Sequence, residues 1–298
     1  MKKGWKIFWV VCVSLTVIGL ICCAASFALG VTVEAIESRY PNGIGIFSHH
    51  DNDDSEDDWE EDREHEVEPE QSEHTETGLY GDGEGIFDNI SSVDAEIAAG
   101  EVEIRIDPML KGQVKVVAKD IDERLKFQCF QENRELKITT TNKISGIVGA
   151  KGIGKIYLYV PSQEQFEDFS VDMLAGRLYI EEVLAREFSV DMGAGEAEIA
   201  HFTASDASLQ CGTGSITASG NVDREVEIEC GMGEISYTAT GKETDYNYEI
   251  NCGVGEVKCG PNSYSGLGTE KSINNQASKE MSIDCGVGAV TVKFAEQL

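Results

Sequence analysis

Basic residues are scarce in this chain, and their scarcity restricts its partners. The 298 residues include 24 Lys or Arg against 54 Asp or Glu, which gives a formal net charge of −30. Proteins that bind nucleic acids neutralise phosphates with Lys and Arg, whereas an acidic chain repels DNA, RNA and anionic lipid headgroups. The composition therefore argues against nucleic acid as a partner.

Histidine is also scarce in the part of the chain that is expected to fold. Of the five histidines, only His201 lies beyond residue 85. A Ser-His-Asp or Cys-His grouping would therefore depend on that one side chain lying beside a nucleophile. We predict that the protein is not an enzyme and that it has no catalytic, cofactor-binding or metal-binding residues.

Two partial ligand motifs each lack an essential residue. The segment from Gly149 to Ile156 resembles a phosphate-binding loop, but Ile156 stands where a metal-binding Ser or Thr is required, and a strand pattern follows instead of a helix. We interpret it as a hairpin turn. The segment from Asp51 to Glu56 starts like a calcium loop but lacks the glycine at the sixth position. Neither segment predicts a cofactor.

A long apolar run is present at the N-terminus. Residues 7–33 are mostly apolar and follow three lysines. A run of about 20 apolar residues spans a bilayer, and the lysines place the N-terminus in the cytoplasm. We predict a single-pass transmembrane anchor over residues 1–33, with the bulk of the chain extracytoplasmic at the cell membrane. The alternative is a cleaved signal peptide ending near Ser26-Phe27-Ala28, although the run exceeds the usual apolar core of about 7–15 residues.

The segment after the anchor is acidic and has almost no apolar periodicity. Residues 51–76 hold fifteen Asp or Glu and one basic residue, Arg63. Such a segment cannot bury enough apolar surface to offset the entropy lost on ordering. We predict a disordered acidic tether over residues 34–85, with an end-to-end distance of about 40 Å. Its histidines and carboxylates could chelate divalent cations weakly, but a solvated spacer is the favoured interpretation.

Beyond residue 85 the chain contains an internal repeat that aligns on a glycine. The copies include SVDMGAG ending at Gly195, SLQCGTG ending at Gly214 and SIDCGVG ending at Gly288. Such self-similarity is typical of a repeat architecture. The aligned glycines are Gly100, Gly176, Gly195, Gly214, Gly233, Gly255 and Gly288.

Apolar residues alternate on both sides of each aligned glycine. They occupy the positions five and three residues before it and two and four residues after it. This period of two predicts two short strands per repeat, and stacked copies would bury one continuous core. We predict an all-β domain over residues 86–298, a β-solenoid-like stack with repeats of about 19 residues. Seven rungs spaced at about 4.8 Å would make a core some 34 Å long.

Two further segments interrupt the repeats. Alternating runs at residues 114–118, 125–130, 136–140 and 156–160 lie between the first two copies and predict additional strands joined by polar turns. Residues 260–279 separate the last two copies and are rich in Gly, Ser and Asn. This composition predicts a protruding loop.

Four cysteines occupy one inward column of the repeat, three residues before the glycine. Earlier copies hold Met173 and Met192 at this position, so each cysteine replaces a core side chain and is predicted to be a buried thiol. A bridge between Cys211 and Cys230 is the alternative, because neighbouring rungs would bring them close. Zinc is not predicted, since its ligands must converge around one point. The cysteines of the column are Cys211, Cys230, Cys252 and Cys285.

The outward column four residues before the glycine is polar in every copy. It could present carboxylates to calcium or to a basic partner. The favoured interpretation is a solvated sheet face whose charge prevents aggregation. The residues of this polar ladder are Glu96, Asp172, Asp191, Gln210, Glu229, Asn251 and Asp284.

The chain resembles the putative adhesin domain family of unknown function found in Gram-positive bacterial membrane proteins. The resemblance rests on the Gly-x-Gly repeats, on Val160-Pro161 before them, on the FALG sequence that ends the anchor at Gly30, and on the closing VTVKF sequence that ends at Phe294. It covers the anchor and residues 86–298 and implies a β-solenoid-like head. It implies no catalytic residues.

We therefore predict a non-enzymatic envelope protein that displays an interaction domain to another envelope protein, a cell-wall polymer or a host surface. The alternative is an envelope-stress sensor that acts through a membrane partner of the anchor, which replacement of the anchor by an unrelated one would distinguish. A carbohydrate-active solenoid would require carboxylates about 5–9 Å apart in an aromatic groove.

Overall fold

The computed structural model describes residues 78–141, 154–162, 164–265 and 267–295. This part of the chain is all-β, as predicted, with two single-turn 3₁₀ helices, Glu123–Leu125 and Glu243–Asp245. The strands are β1 (Gly78–Tyr80), β2 (Gly83–Asp88), β3 (Ser92–Ile97), β4 (Gly100–Ile106), β5 (Gln113–Lys119), β6 (Gln128–Glu132), β7 (Glu135–Thr139), β8 (Lys155–Val160), β9 (Phe166–Ile180), β10 (Val183–Cys211), β11 (Ser215–Cys230), β12 (Glu234–Thr240), β13 (Tyr246–Cys252), β14 (Glu256–Cys259), β15 (Asn262–Ser265), β16 (Thr269–Ile273), β17 (Lys279–Cys285) and β18 (Ala289–Ala295).

Each aligned glycine separates two strand segments that pair in parallel with their counterparts in neighbouring repeats. Between β9 and β10, for example, Asp172 pairs with Asp191 and Leu178 with Ala197. Residues at the same repeat position therefore stack in columns, one strand spacing of about 4.8 Å apart. The segments before the glycines form the first face of the stack, the segments after them form the second face, and the two segments of one repeat form a rung.

The inward side chains of the two faces pack into one hydrophobic core. Val171, Val190 and Leu209 contribute from the first face, while Leu178 and Ile216 contribute from the second, and all five are fully buried. Their positions are those that the alternation in the sequence assigns to the interior. The β-solenoid-like stack with a continuous core is therefore confirmed.

The order of the rungs in space differs from their order in the sequence at the C-terminal end. β11 and β12 pair with β17 and β18 rather than with β13 and β14. On their other side, β17 and β18 pair with β13 and β14. The last repeat in the sequence, at Gly288, therefore lies between the repeats at Gly233 and Gly255.

The N-terminal end has a similar arrangement. β3 and β4, which form the first repeat in the sequence, lie between β9 on one side and β7 and β8 on the other. β7 and β8 add an eighth parallel rung to the seven expected from the glycines. The strands predicted between the first two repeats are confirmed, except that Leu125 lies in the 3₁₀ helix Glu123–Leu125 and the following strand starts at Gln128.

Antiparallel strands cover both ends of the parallel stack. At the N-terminal end, β6 pairs with β7 and β5 with β8, and β1 and β2 pair with these in turn. At the C-terminal end, β16 pairs with β13 and β15 with β14. The prediction of a protruding loop over residues 260–279 is therefore wrong, because β15 and β16 satisfy the N–H and C=O groups that an open strand edge would leave unpaired.

The domain starts earlier in the chain than the sequence predicted. β1 starts at Gly78 and β2 at Gly83, so residues 78–85 contain strand residues where a disordered tether was expected. The predicted anchor over residues 1–33 and the rest of the tether lie outside the described residues. Among the described residues, no helix is long and apolar enough to cross a membrane.

Candidate functional site

Carboxylates line the outward side of the first face in three columns. Because side chains alternate along a strand, the positions eight, six and four residues before each aligned glycine all point outward. The parallel register places the residues of each column side by side. The acidic members, which together are termed the acidic face, are Asp168, Glu187, Asp206, Glu225 and Glu280 at position eight, Asp94, Glu227 and Glu249 at position six, and Glu96, Asp172, Asp191, Glu229 and Asp284 at position four.

The sequence identified only the last of these three columns. Its polar character is confirmed, and Gln210 and Asn251 are its two uncharged members. The other two columns extend the polar surface across the full width of the face. The same glycine alignment, read two and four residues further from the bend, would have revealed them.

Burial, together with neighbouring charges, disfavours the charged forms of several carboxylates on the acidic face. Burial, with the charges of Asp191, Asp94 and Glu96, raises the pKa of Asp172 to about 6. Burial is also the main cause of raised pKa values at Asp94, Asp168, Asp191 and Glu229. The face therefore holds carboxylates whose charge a cationic partner would stabilise.

This geometry suits an extended cationic partner better than a single metal ion. Carboxylates at equivalent positions stand side by side, one strand apart, instead of converging on a point. Among the described residues, no group of three or more His, Cys, Asp or Glu could hold a metal ion. A flat array of like charges instead complements a protein or polymer surface with repeated amino or guanidinium groups.

Several carboxylates of the second face are paired with a Lys or Arg. The Lys155 Nζ lies 2.8 Å from a Glu101 carboxylate oxygen, and the Arg177 guanidinium lies 3.2 Å from that of Glu196. Glu101, Arg177 and Glu196 line a depression in which Arg105 stacks over the Tyr179 ring, with the guanidinium carbon 4.9 Å from the ring centroid. Ion pairs of this kind leave little net charge for a partner. On the acidic face, Glu187 is paired with Arg186 and Asp206 with Arg224, whereas the carboxylates at position four form no ion pair with a described Lys or Arg.

The column of four cysteines is buried, and all four thiols are free, which confirms that part of the sequence prediction. Their order along the stack is Cys211, Cys230, Cys285, Cys252. Burial is the main cause that raises the pKa of Cys285 to about 12. Since the thiolate is the form that attacks disulfides and binds metals, a raised pKa suppresses both reactions. The four cysteine side chains therefore pack in the core as small apolar groups.

The other candidates in the sequence are not assembled into a site. The side chain of His201 is partly buried in β10 and has no hydrogen bond or ion pair with a described residue. Lys155 and Ile156 start β8, so the strand expected after the phosphate-loop-like segment is confirmed. Residues 149–153 and the calcium-loop-like segment at 51–56 lie outside the described residues. The absence of catalytic and cofactor-binding residues stays a prediction.

Several solved structures match this chain at low sequence identity. A putative cell adhesion protein from Clostridium sporogenes has 15% sequence identity and a TM-score of 0.40, and the match covers 72% of this chain and 100% of that one. A putative adhesin from Bacteroides fragilis has 14% identity and a TM-score of 0.33, over 70% of this chain and 95% of that one. A putative adhesin from Parabacteroides distasonis has 15% identity and a TM-score of 0.32, over 72% and 97%.

The family is shown by a sequence match. No curated protein matches the chain. The model of the Toastrack DUF4097 family matches residues 94–294, which run from β3 to β18 and make up more than half of the chain. The chain therefore belongs to the Toastrack DUF4097 family.

Proposed function

We propose that this chain is a non-enzymatic cell-envelope protein that displays its β-solenoid-like domain outside the membrane as an adhesin or interaction module. In this proposal, residues 1–33 anchor the chain and the acidic segment that follows holds the domain away from the bilayer. The domain binds an envelope protein, a cell-wall polymer or a host surface that carries cationic groups. The acidic face is the observation that carries the proposal.

The repeat architecture supports this role through multivalency. Equivalent positions of the acidic face recur about every 4.8 Å along the stack, and most rungs carry at least one carboxylate there, so many weak contacts with one extended partner would act together. Because the charges of neighbouring carboxylates add to burial in raising the pKa of Asp172, a cationic partner would relieve repulsion as it binds. Binding should therefore be stronger at about pH 7.5 than at about pH 5, where more of these carboxyl groups are protonated.

The test is a binding measurement with the purified full-length protein. Immobilised protein is incubated with solubilised membranes, with cell-wall fractions and with a lysine-rich peptide as a defined cationic probe. We expect saturable binding that weakens at low pH and at high salt. The variant Asp172→Asn, Asp191→Asn, Glu229→Gln should lose most of the binding.

A matched control removes three carboxylates from the second face. The variant Glu101→Gln, Glu196→Gln, Glu198→Gln lowers the net negative charge by the same amount and should bind like the unmodified protein. An equal loss of binding in the two variants would show that binding depends only on the net charge of the protein. If neither variant changes the binding, the acidic face is not the binding surface.

A further inference from the structure

The bends at the aligned glycines form one edge of the stack, between the two faces. Successive bends are joined by backbone hydrogen bonds. The Val287 N–H donates to the Gly231 carbonyl at 2.8 Å, and the Val254 N–H donates to the Gly286 carbonyl at 2.8 Å. The residue just before each aligned glycine lies at the crest of its bend and is exposed in the C-terminal half of the stack.

Large apolar side chains occupy that crest over consecutive rungs. Met232, Val287 and Val254 are 68%, 61% and 59% exposed, and Leu267 beside them is 85% exposed. Leu267 lies next to the bend of the outermost rung, because the N–H of Gly268 donates to the Gly253 carbonyl at 2.9 Å. At one strand spacing per step, Met232, Val287, Val254 and Leu267 form a line about 14 Å long, termed the apolar ridge.

The fold itself does not require apolar residues on this crest. Thr213 occupies the same repeat position one rung earlier, and its N–H and the Met232 N–H make equivalent hydrogen bonds to the preceding bend, both at 2.8 Å. A polar side chain therefore fits the bend equally well. Single exposed apolar residues are common on proteins, but a contiguous line of them is typical of an interaction surface.

Carboxylates border the apolar ridge on both sides. Glu229 and Asp284 lie three residues before Met232 and Val287, at the rim of the first face, and Glu234 lies two residues after Met232, at the rim of the second face. Glu229, Asp284 and Glu234 form no ion pair with a Lys or Arg of the described residues. The ridge is thus an apolar line between two acidic margins.

We propose that the apolar ridge is a docking surface for a partner protein segment that presents a row of apolar side chains flanked by Lys or Arg. The inference rests on the proposed function and identifies where on the domain such a partner docks. Charge complementarity favours this occupant. A second copy of the chain or an anionic bilayer would bring like charges against Glu229, Asp284 and Glu234.

The test uses the full-length protein in neutral-lipid nanodiscs, with empty nanodiscs as the blank. The probe is a fluorescent peptide with an apolar centre and lysines at both ends, and fluorescence anisotropy measures its affinity. We expect the variant Met232→Ser, Val287→Ser, Val254→Ser to bind at least tenfold more weakly, because it removes the apolar contacts. A peptide with glutamates in place of the lysines should also bind at least tenfold more weakly.

The matched control is Met109→Ser, which changes a side chain that is 84% exposed and lies outside the ridge. It should change the affinity less than twofold, and unchanged melting temperatures would show that all variants fold. Equal affinity for the two peptides, or an equal loss in the control, would overturn the proposal. Dimerisation that the ridge variant abolishes would also overturn the proposal and would identify a second copy of the chain as the occupant. Binding to protein-free lipid vesicles that the ridge variant abolishes would overturn it as well and would identify a bilayer.

The envelope-binding measurement separates this inference from the proposed function. If the acidic-face variant loses envelope binding and the ridge variant does not, the proposed function stands and the ridge is not the docking surface. If neither variant changes envelope binding, both proposals fail.

Discussion

At the scale of single residues, the glycines at the bends are a packing requirement. A Cβ on Gly195, whose φ is +125°, would lie 2.0 Å from the carbonyl oxygen of Gly176. A Cβ on Gly288 would lie 2.2 Å from the carbonyl oxygen of Gly233. Successive bends therefore approach more closely than any side chain permits. Glycine is therefore required at the bends because of this close approach, in addition to its tolerance of positive φ.

Substitution of Gly195 should reveal the close approach. We expect Gly195→Ala to lower the free energy of unfolding by about 3 kcal/mol or more, because either the neighbouring bend must shift or the chain is strained. Urea denaturation checks this. The control is Gly81→Ala, where φ is +77° but nothing lies within 4 Å of the added Cβ. Gly81→Ala should lower the free energy of unfolding by about 1–2 kcal/mol, because it introduces backbone strain without a steric clash. An equal decrease in the free energy of unfolding for Gly195→Ala and Gly81→Ala would contradict the packing explanation.

Asp172 is the residue at which stability and pH are most directly linked. Its pKa is about 6 in the folded protein, against an ordinary value of 3.8. The protonated form therefore favours the fold. This stabilisation is complete below about pH 4, and it is lost as the pH rises through about 6.

The variant Asp172→Asn should therefore be more stable than the unmodified protein at about pH 7.5 and not at about pH 4. We expect a gain on the order of 1 kcal/mol, since solvent still screens a carboxylate that its neighbours cover only in part. Chemical denaturation at the two pH values measures the difference. The same change in stability at both pH values would contradict the proposed cause.

At the scale of strands, both ends of the stack have an outer rung that antiparallel strands cover. At the N-terminal end, β7 and β8 form an additional rung outside the first repeat, and at the C-terminal end the repeat at Gly255 lies outside the last repeat. An uncovered parallel edge would offer unpaired N–H and C=O groups to another molecule. The antiparallel strands reduce that exposure to short terminal strands such as β15 and β16.

Cysteine cross-linking on the acidic face tests the order of the rungs. Ser282 of β17 pairs with Glu227 of β11 on one side and with Glu249 of β13 on the other. The variant Glu227→Cys, Ser282→Cys should form a disulfide under mild oxidation, because its sites are on adjacent strands. The variant Glu227→Cys, Glu249→Cys should not, since a strand lies between its sites.

Peptide mapping by mass spectrometry detects the cross-link. The six native thiols among the described residues are buried and serve as an internal control for selective oxidation. A disulfide in the second variant alone would show that the repeats stack in sequence order.

At the scale of the whole domain, repulsion within the acidic face is collective. In addition to burial, the charges of neighbouring carboxylates raise the pKa values of Asp94, Asp168 and Asp172. Screening by salt should therefore stabilise the domain when these groups are charged. It should matter less when they are protonated.

Thermal denaturation at low and high salt checks this expectation. At about pH 7.5, an increase from about 20 to 300 mM NaCl should raise the melting temperature by a few degrees. At about pH 5 the increase should be smaller. A larger effect of salt at the lower pH would show that repulsion on the acidic face does not limit stability.

The sequence by itself determined the local geometry of each repeat. The alternation around each glycine specifies which side chains point inward, because the period of a strand is two residues. It thereby predicted the all-β class, the buried cysteines at positions such as Cys230 and the polar ladder through Asp172 and Asp191. These properties depend only on residues a few positions apart.

Only the tertiary structure decided which strands are neighbours. The repeats are so alike that the segment at Ile228 could pair equally well with those at Ile250 or Ile283, and nothing local distinguishes the two partners. The structure places Ile283 next to Ile228 and covers the outer rung with β15 and β16. That arrangement creates the line from Met232 through Val287 to Val254. The order of the strands depends on how the open ends of the stack are covered. That requirement involves the whole domain, and no single repeat encodes it.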